Sequence, residues 1–329
     1  MREPRADCRN PGCDGEGCRG ELCGKTIDVT GRVAIVTGAG AGLGRSYALA
    51  LAARGAKVLV NDLGASVEGA GRDTAPADAV AAEIVDRGGE AAADYTSVAS
   101  PEGGEQIVQH AIDRFGSVDI LVNNAGNMQL SSFAKLDVTS INDVLDVHLG
   151  GTFFVTKPAY RAMMEQKRGR IIFTSSGLGV FGIYGAGVYG AAKGGVFGLL
   201  SILRLEGERY GIRVNAVAPM ARTRMSGDDL YSEIPADWAS PDLVAPVVAY
   251  FASDECQVNG ELWSVGAGSV SRVFVGRTEG FFKHPEREGP LSAEDVAEHL
   301  DAIRDTAQFS EPPNWLAEWG LVVKKFGLP

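Results

Sequence analysis

From Gly31 to Gly266 the sequence repeats one rhythm, a short apolar run, a turn and then a helical stretch. RVAIVTG at 32–38 is β-branched and ends in glycine, and AGLGRSYALALAARG at 41–55 has a helical pattern that stops at Gly55. Further apolar runs stand at 57–62, 90–95, 119–126, 170–176, 212–219 and 261–266. Helical patterns separate them at 76–89, 101–116, about 140–166, 188–211 and 242–253, the last with an awkward Pro246. Strands joined through helices pair in parallel, and both faces of such a sheet are covered. Ligands of these sheets sit beyond the carboxyl ends of the strands.

The chain has 329 residues, 45% hydrophobic and 22% charged, enough for a sizeable core. A net charge of -11 argues against a nucleic-acid partner. No apolar run approaches the length of a membrane span, and the N-terminus lacks the apolar core of a secretory signal, so the cytoplasm is the expected compartment. Four of the five cysteines, Cys8, Cys13, Cys18 and Cys23, are evenly spaced near the N-terminus. Structural zinc sites group their ligands in two close pairs, so no metal site is read here. The expected organisation is a disordered tail at 1–30, one domain at 31–268, and an extension at 269–329 packed on the core or on a neighbouring subunit.

TGAGAGLG, Thr37 to Gly44, lies directly between a strand and a helix. Glycine allows the tight turn and the close approach of a pyrophosphate, and the helix N-terminus offers free N–H groups to the anion. Gly38, Gly42, Leu43 and Gly44 are therefore cofactor-binding candidates, and the fold is expected to be α/β, a single Rossmann-type doubly wound parallel sheet with helices on both faces. Asp62 ends the second strand, where a carboxylate can accept both ribose hydroxyls and repel a 2′-phosphate. No basic residue follows it in LGASVEG, so the expected cofactor is NAD.

The fifth strand and its helix carry the reaction chemistry. Tyr189 and Lys193 stand four apart and project from one helix face. A free phenol has a pKa of about 10, and a nearby ammonium favours its ionised form. Tyr184 has Val188 four residues on and at most lines the pocket. Ser176, at the end of RIIFTSS, is placed to hold a substrate oxygen against the Tyr189 hydroxyl.

TGAGAGLG, NNAG at 123–126, Ser176 and YGAAK at 189–193 together resemble the short-chain dehydrogenase/reductase family over about Gly31 to Gly268. VNDLG, VHLGGTF, RTRM and VGAG are similar to a narrower group, the (3R)-hydroxyacyl-CoA dehydrogenase units of peroxisomal type-2 multifunctional enzymes, also described as type-4 17β-hydroxysteroid dehydrogenases. The resemblance implies hydride exchange between a secondary alcohol and nicotinamide, with Ser176, Tyr189 and Lys193 as catalytic residues. It further implies cofactor contacts from Ser97, Val98, Asn124, Ala125, Gly126 and Thr223, and from Tyr189 and Lys193 themselves.

Two positions depart from the wider family. His148 stands where most members have an asparagine that supports a relay water, and Met220 follows Pro219 where glycine is common. The imidazole either holds a water, with a charge that changes near neutral pH, or packs against backbone.

Met220, Met225, Leu230, Tyr231, Ile234 and Trp238 give the segment after the sixth strand an apolar wall, faced by Phe181, Ile183 and Tyr184. The substrate is expected to be a hydrophobic small molecule, either a 3-hydroxyacyl-CoA, whose phosphates Arg222, Arg224 and Arg272 could meet, or a steroid-like alcohol. A dinucleotide sensor or scaffold is the non-enzyme alternative. The family's use of its two long helices for assembly implies a homodimer or homotetramer.

Overall fold

A computed structural model of the chain describes residues 26–226 and 233–327. The four clustered cysteines, Leu230 and Tyr231 lie outside the described residues. The structure divides into two compact units, one ending at Arg272 and the other beginning at Val273.

The first unit is built on a sheet of β1 (Val33–Thr37), β2 (Lys57–Asn61), β3 (Glu90–Asp94), β4 (Ile120–Asn123), β5 (Gly169–Thr174), β6 (Ile212–Pro219), β7 (Leu262–Gly266) and β8 (Ser269–Val273). Their spatial order is 3-2-1-4-5-6-7-8. Each pairing from β3 through β7 is parallel. All residues of β1, β4 and β5 are buried, which explains why these strands read as unbroken apolar runs and not as alternating ones. The expected Rossmann-type sheet is therefore present, with one strand more than the sequence pattern indicated. Ala267 and Gly268, both at positive φ, form a two-residue turn after β7. That turn type reverses the chain into a hairpin, making β8 an antiparallel edge.

Between the strands lie α1 (Gly42–Ala52), α2 (Ala75–Asp86), α3 (Pro101–Phe115), α4 (Val138–Leu145), α5 (Gly151–Gln166), α6 (Gly187–Gly207) and α7 (Ala245–Ala252). The single helix expected over 140–166 is in fact α4 and α5 joined by a π turn, Asp146–Gly150. This wider turn bonds the Gly151 N–H to the Asp146 carbonyl, and the Thr152 hydroxyl donates to the His148 carbonyl at 2.7 Å. The last helix starts at Ala245, so Pro246 falls in its first turn, where a missing N–H costs nothing. α6 is apolar enough over Gly187–Tyr210, at a mean hydropathy of 1.2, to pass as a weak membrane-span candidate; it packs on β6 and α4 of the first unit.

β1 and β4 are neighbours although the chain runs outward from them in opposite directions, so a crevice opens at their carboxyl ends. The loop from β1 to α1 lines that crevice. Gly44 sits behind the loop: a Cβ there would lie 2.1 Å from the Gly38 carbonyl oxygen and 2.6 Å from the Asn124 amide nitrogen. Its lack of a side chain lets α1 pack closely on the end of β1.

The second unit holds an antiparallel pair, β9 (Arg277–Thr278) with β10 (Phe309–Ser310), and α8 (Pro285–Glu288), α9 (Ala293–Glu298), α10 (Leu300–Arg304) and α11 (Trp315–Lys325). The capped helix expected near Ser292 is α9, whose Ser292 and Asp295 form a reciprocal capping box.

Replacing Gly44 by Ala in an open helix would stabilise by about 1 kcal/mol. Here the added methyl meets backbone on the strand side, so Gly44→Ala is expected to destabilise the protein by about 2 kcal/mol or more. A lowered urea midpoint tests this; a raised one would refute the packing.

Candidate active site

One cavity of about 590 Å³ occupies the crevice. Among the residues named from sequence, Gly38, Gly42, Leu43, Asp62, Ser97, Val98, Asn124, Ala125, Gly126, Ser176, Tyr189, Lys193 and Thr223 all line it; Gly44 does not. Met220, Met225, Phe181, Ile183 and Tyr184 line it as well, whereas Ile234 and Trp238 do not. Of the three arginines considered for an anionic substrate, Arg224 faces the cavity, and Arg272 lies 3.5 Å from Glu261.

The floor of the cavity is suited to a dinucleotide. The α1 N-cap is Ala41, which makes no side-chain capping bond, and no acidic residue occupies the first turn. Uncapped N–H groups at a helix start, with Ala41, Gly42 and Leu43 on the cavity wall, form an anion site. Gly42 takes a positive φ of 53° to make the turn. Asp62 is buried at the other end, with Oδ2 accepting from Gly40 N–H at 2.7 Å and Oδ1 from Gly64 N–H at 2.7 Å. Each oxygen keeps a second lone pair for a ribose hydroxyl. Gly40, absent from the sequence-based set, is needed for this: a Cβ there would lie 2.8 Å from Asp62 Oδ2.

Asn124 works as a fastener. Its amide donates to the Thr37 and Gly38 carbonyls at 3.0 and 3.1 Å, and Thr37 Oγ1 accepts the Asn124 and Ala125 N–H groups at 3.0 Å each. The loops after β1 and β4 are thereby held as one surface.

Across the cavity, α6 presents Tyr189 and Lys193 four residues apart, both buried. Lys193 Nζ is 5.7 Å from the centre of the Tyr189 ring and donates to the Thr174 carbonyl at 2.6 Å. Ser175 Oγ donates to the Lys193 carbonyl at 3.1 Å, fixing α6 on the end of β5. Burial pulls the Lys193 ammonium down to about 7. Ser176 Oγ accepts the Leu178 N–H at 3.1 Å, which leaves its own O–H to donate elsewhere.

His148, projected by the π turn, packs edge-on to Tyr189 with ring centres 5.0 Å apart. Its Nε2 lies 2.7 Å from the Asn127 carbonyl oxygen and 3.1 Å from the Asn127 backbone nitrogen, so either tautomer finds a backbone partner there. Burial first, and then the Lys193 charge, push its pKa down to about 3 against the opposing Asn127 bond. The ring stays neutral at physiological pH, which favours the backbone-packed of the two roles open to it from sequence.

The profile of the family described as short chain dehydrogenase matches residues 32–230. A protein of Mycobacterium tuberculosis described as a short-chain type dehydrogenase/reductase is 44% identical over 277 residues, 84% of this chain and 95% of its own. Peroxisomal multifunctional enzyme type 2 of Mus musculus is 41% identical over 89% of this chain, which spans only 39% of that enzyme. Among solved structures, full-length peroxisomal multifunctional enzyme type 2 from Drosophila melanogaster aligns with a TM-score of 0.75 at 34% identity, covering 91% of this chain and 50% of that one. A short chain dehydrogenase from Mycobacterium avium aligns with a TM-score of 0.73 at 36% identity over 85% of this chain and 98% of that one. The chain belongs to the short-chain dehydrogenase family and is an oxidoreductase of that family. Family membership carries a nicotinamide dinucleotide as the general cofactor class.

The buried lysine makes stability depend on pH. Unfolded, its amine keeps a proton up to about 10.4; folded, it loses that proton near 7. Between these values unfolding takes up a proton, so this group makes stability rise with pH, by at most about 1.4 kcal/mol per unit. Lys193→Met is expected to flatten the rise between pH 7 and 10 and to stabilise the protein at pH 6.5. Urea midpoints of both proteins across that range decide; parallel curves would refute the shift.

Proposed function

We propose that the enzyme interconverts a secondary alcohol and a ketone using NAD, with a 3-hydroxyacyl-CoA as substrate. The observation that carries this is the burial of Tyr189 and Lys193, on one face of α6, in the same cavity that holds Asp62 and the uncapped start of α1. A dinucleotide spanning those points supplies the hydride acceptor or donor. Asp62 would accept its adenosine ribose hydroxyls and repel a 2′-phosphate, which favours NAD over NADP. Lys193 has three N–H bonds, one given to Thr174, and would use the others on the second ribose.

Ser176 donates its O–H to the substrate oxygen and sets it beside the Tyr189 hydroxyl. In oxidation the substrate hydroxyl proton passes to the Tyr189 oxygen as hydride leaves the carbon; in reduction both transfers reverse. The Lys193 charge beside the ring favours the phenolate that accepts this proton. His148, neutral and bonded to the Asn127 backbone, holds the β4 loop against the ring of Tyr189 and takes up no charge in the cycle.

The exposed apolar side chains of Phe181, Ile183 and Met220 on the cavity wall suit an acyl chain or a steroid equally. Arg224 on the same wall favours the acyl-CoA, whose phosphates a steroid lacks. The relatives named as peroxisomal multifunctional enzymes point the same way. Exposed Phe153 on α5 and Ile202 and Leu205 on α6 support assembly into a dimer or tetramer through those helices.

Assays of 3-hydroxyacyl-CoA esters beside 17β-hydroxysteroids, each with NAD and with NADP, are expected to give turnover with the esters and NAD. Preference for NADP, or turnover of the steroids alone, would overturn the corresponding part. Tyr189→Phe is expected to lower kcat by about a thousandfold or more while dinucleotide affinity changes less than about threefold. Retained turnover would rule out the tyrosine, and a wild-type enzyme that binds dinucleotide but turns over nothing would favour a sensor. The pH–rate profile of His148→Asn is expected to keep the wild-type midpoint, since the imidazole does not titrate there.

A further inference from the structure

The connection from β2 to α2, residues 63–74, is long for a strand–helix link and is not an open loop. Its root is closed, with Asp73 N–H donating to the Leu63 carbonyl at 3.1 Å. Its tip is closed on itself, with Ser66 N–H bonded to the Ala70 carbonyl at 2.8 Å and Gly69 N–H to the Ser66 carbonyl at 3.0 Å. The tip then reaches the opposite bank of the crevice: Met128 N–H, in the loop after β4, donates to the Val67 carbonyl at 2.9 Å. In the sheet β1 lies between β2 and β4, so a bridge between their ends passes over the end of β1 and its phosphate loop. Leu63, Ala65, Ser66 and Gly69 accordingly form part of the cavity wall.

A ligand that runs from Asp62 to Tyr189 lies beneath this bridge. We propose that residues 63–73 are a strap that must lift for the dinucleotide to enter or leave, latched by the Met128 to Val67 backbone bond. This rests on the dinucleotide reading of the cavity. The root of the strap is bonded to the ribose-binding carboxylate itself, through Gly64 N–H to Asp62 Oδ1, so lifting the strap and loosening the ribose contact are one movement. The latch is a single backbone bond, easily broken, whereas root and tip each close internally and move as a body. Glu68, at the exposed tip, accepts from the Ser66 hydroxyl at 2.8 Å, which closes the tip further on itself.

The test is NADH release, followed by the loss of bound-NADH fluorescence when excess NAD is mixed with the loaded enzyme. Excision of residues 66–71 leaves the root bond in place and is expected to raise the release rate about tenfold or more, and the association rate with it. In the free protein, hydrogen exchange should find the Met128 amide protected in the wild type and unprotected after excision. Release at the wild-type rate from the excised variant, or a Met128 amide that exchanges freely in the wild type, would overturn the strap. Failure of the unaltered enzyme to bind NADH at all would instead sink the cofactor reading, and the strap with it.

Discussion

A protonated amine buried at the end of a β-strand is expensive, and the site is organised around meeting that expense. Lys193 gives one N–H to the Thr174 carbonyl and loses its bulk water. Desolvation alone pulls its proton affinity to near neutrality, so the free protein is under strain that a polar ligand would relieve. The same burial makes the charge effective, because a cation in a low-dielectric pocket acts on a neighbouring ring far more strongly than one in water. What destabilises the empty site equips it for proton transfer.

The surrounding bonds keep that geometry fixed. Ser175 holds the helix that carries Lys193 to the strand end, and Asn124 and Thr37 join the two loops on which a dinucleotide would lie. These groups spend their hydrogen bonds on backbone. Asp62 differs in that its carboxylate retains acceptor capacity toward the cavity.

The sequence was most informative where chemistry depends on near neighbours. The four-residue separation of Tyr189 and Lys193, and the placing of glycines between β1 and α1, follow from helix and turn geometry and could be read directly. Gly44 reads in sequence like its neighbours in the glycine-rich turn, and its close contact with Gly38 appears only once the loop is folded. The bond between Val67 and Met128 joins residues far apart in the chain through backbone atoms, and no side-chain pattern encodes it. The neutral state of His148 depends on burial and on Lys193, a residue from another helix, so its sequence neighbours gave no warning. β8 escaped notice because its residues are mostly exposed and lack the unbroken apolar run of the inner strands.

The π turn before α5 has a consequence for how this protein can change over evolutionary time. A turn of that kind accommodates one residue more than a regular helix, and one residue is about 100° of rotation. The wide turn therefore takes up one residue between α4 and α5 without turning the face of α5 that meets α3. Loss of a single codon there would restore a smooth helix with that face unchanged, and would withdraw the outward step that carries His148 toward Tyr189. A codon lost from the regular turns of α5 has no such slack and would rotate its buried side by about 100°.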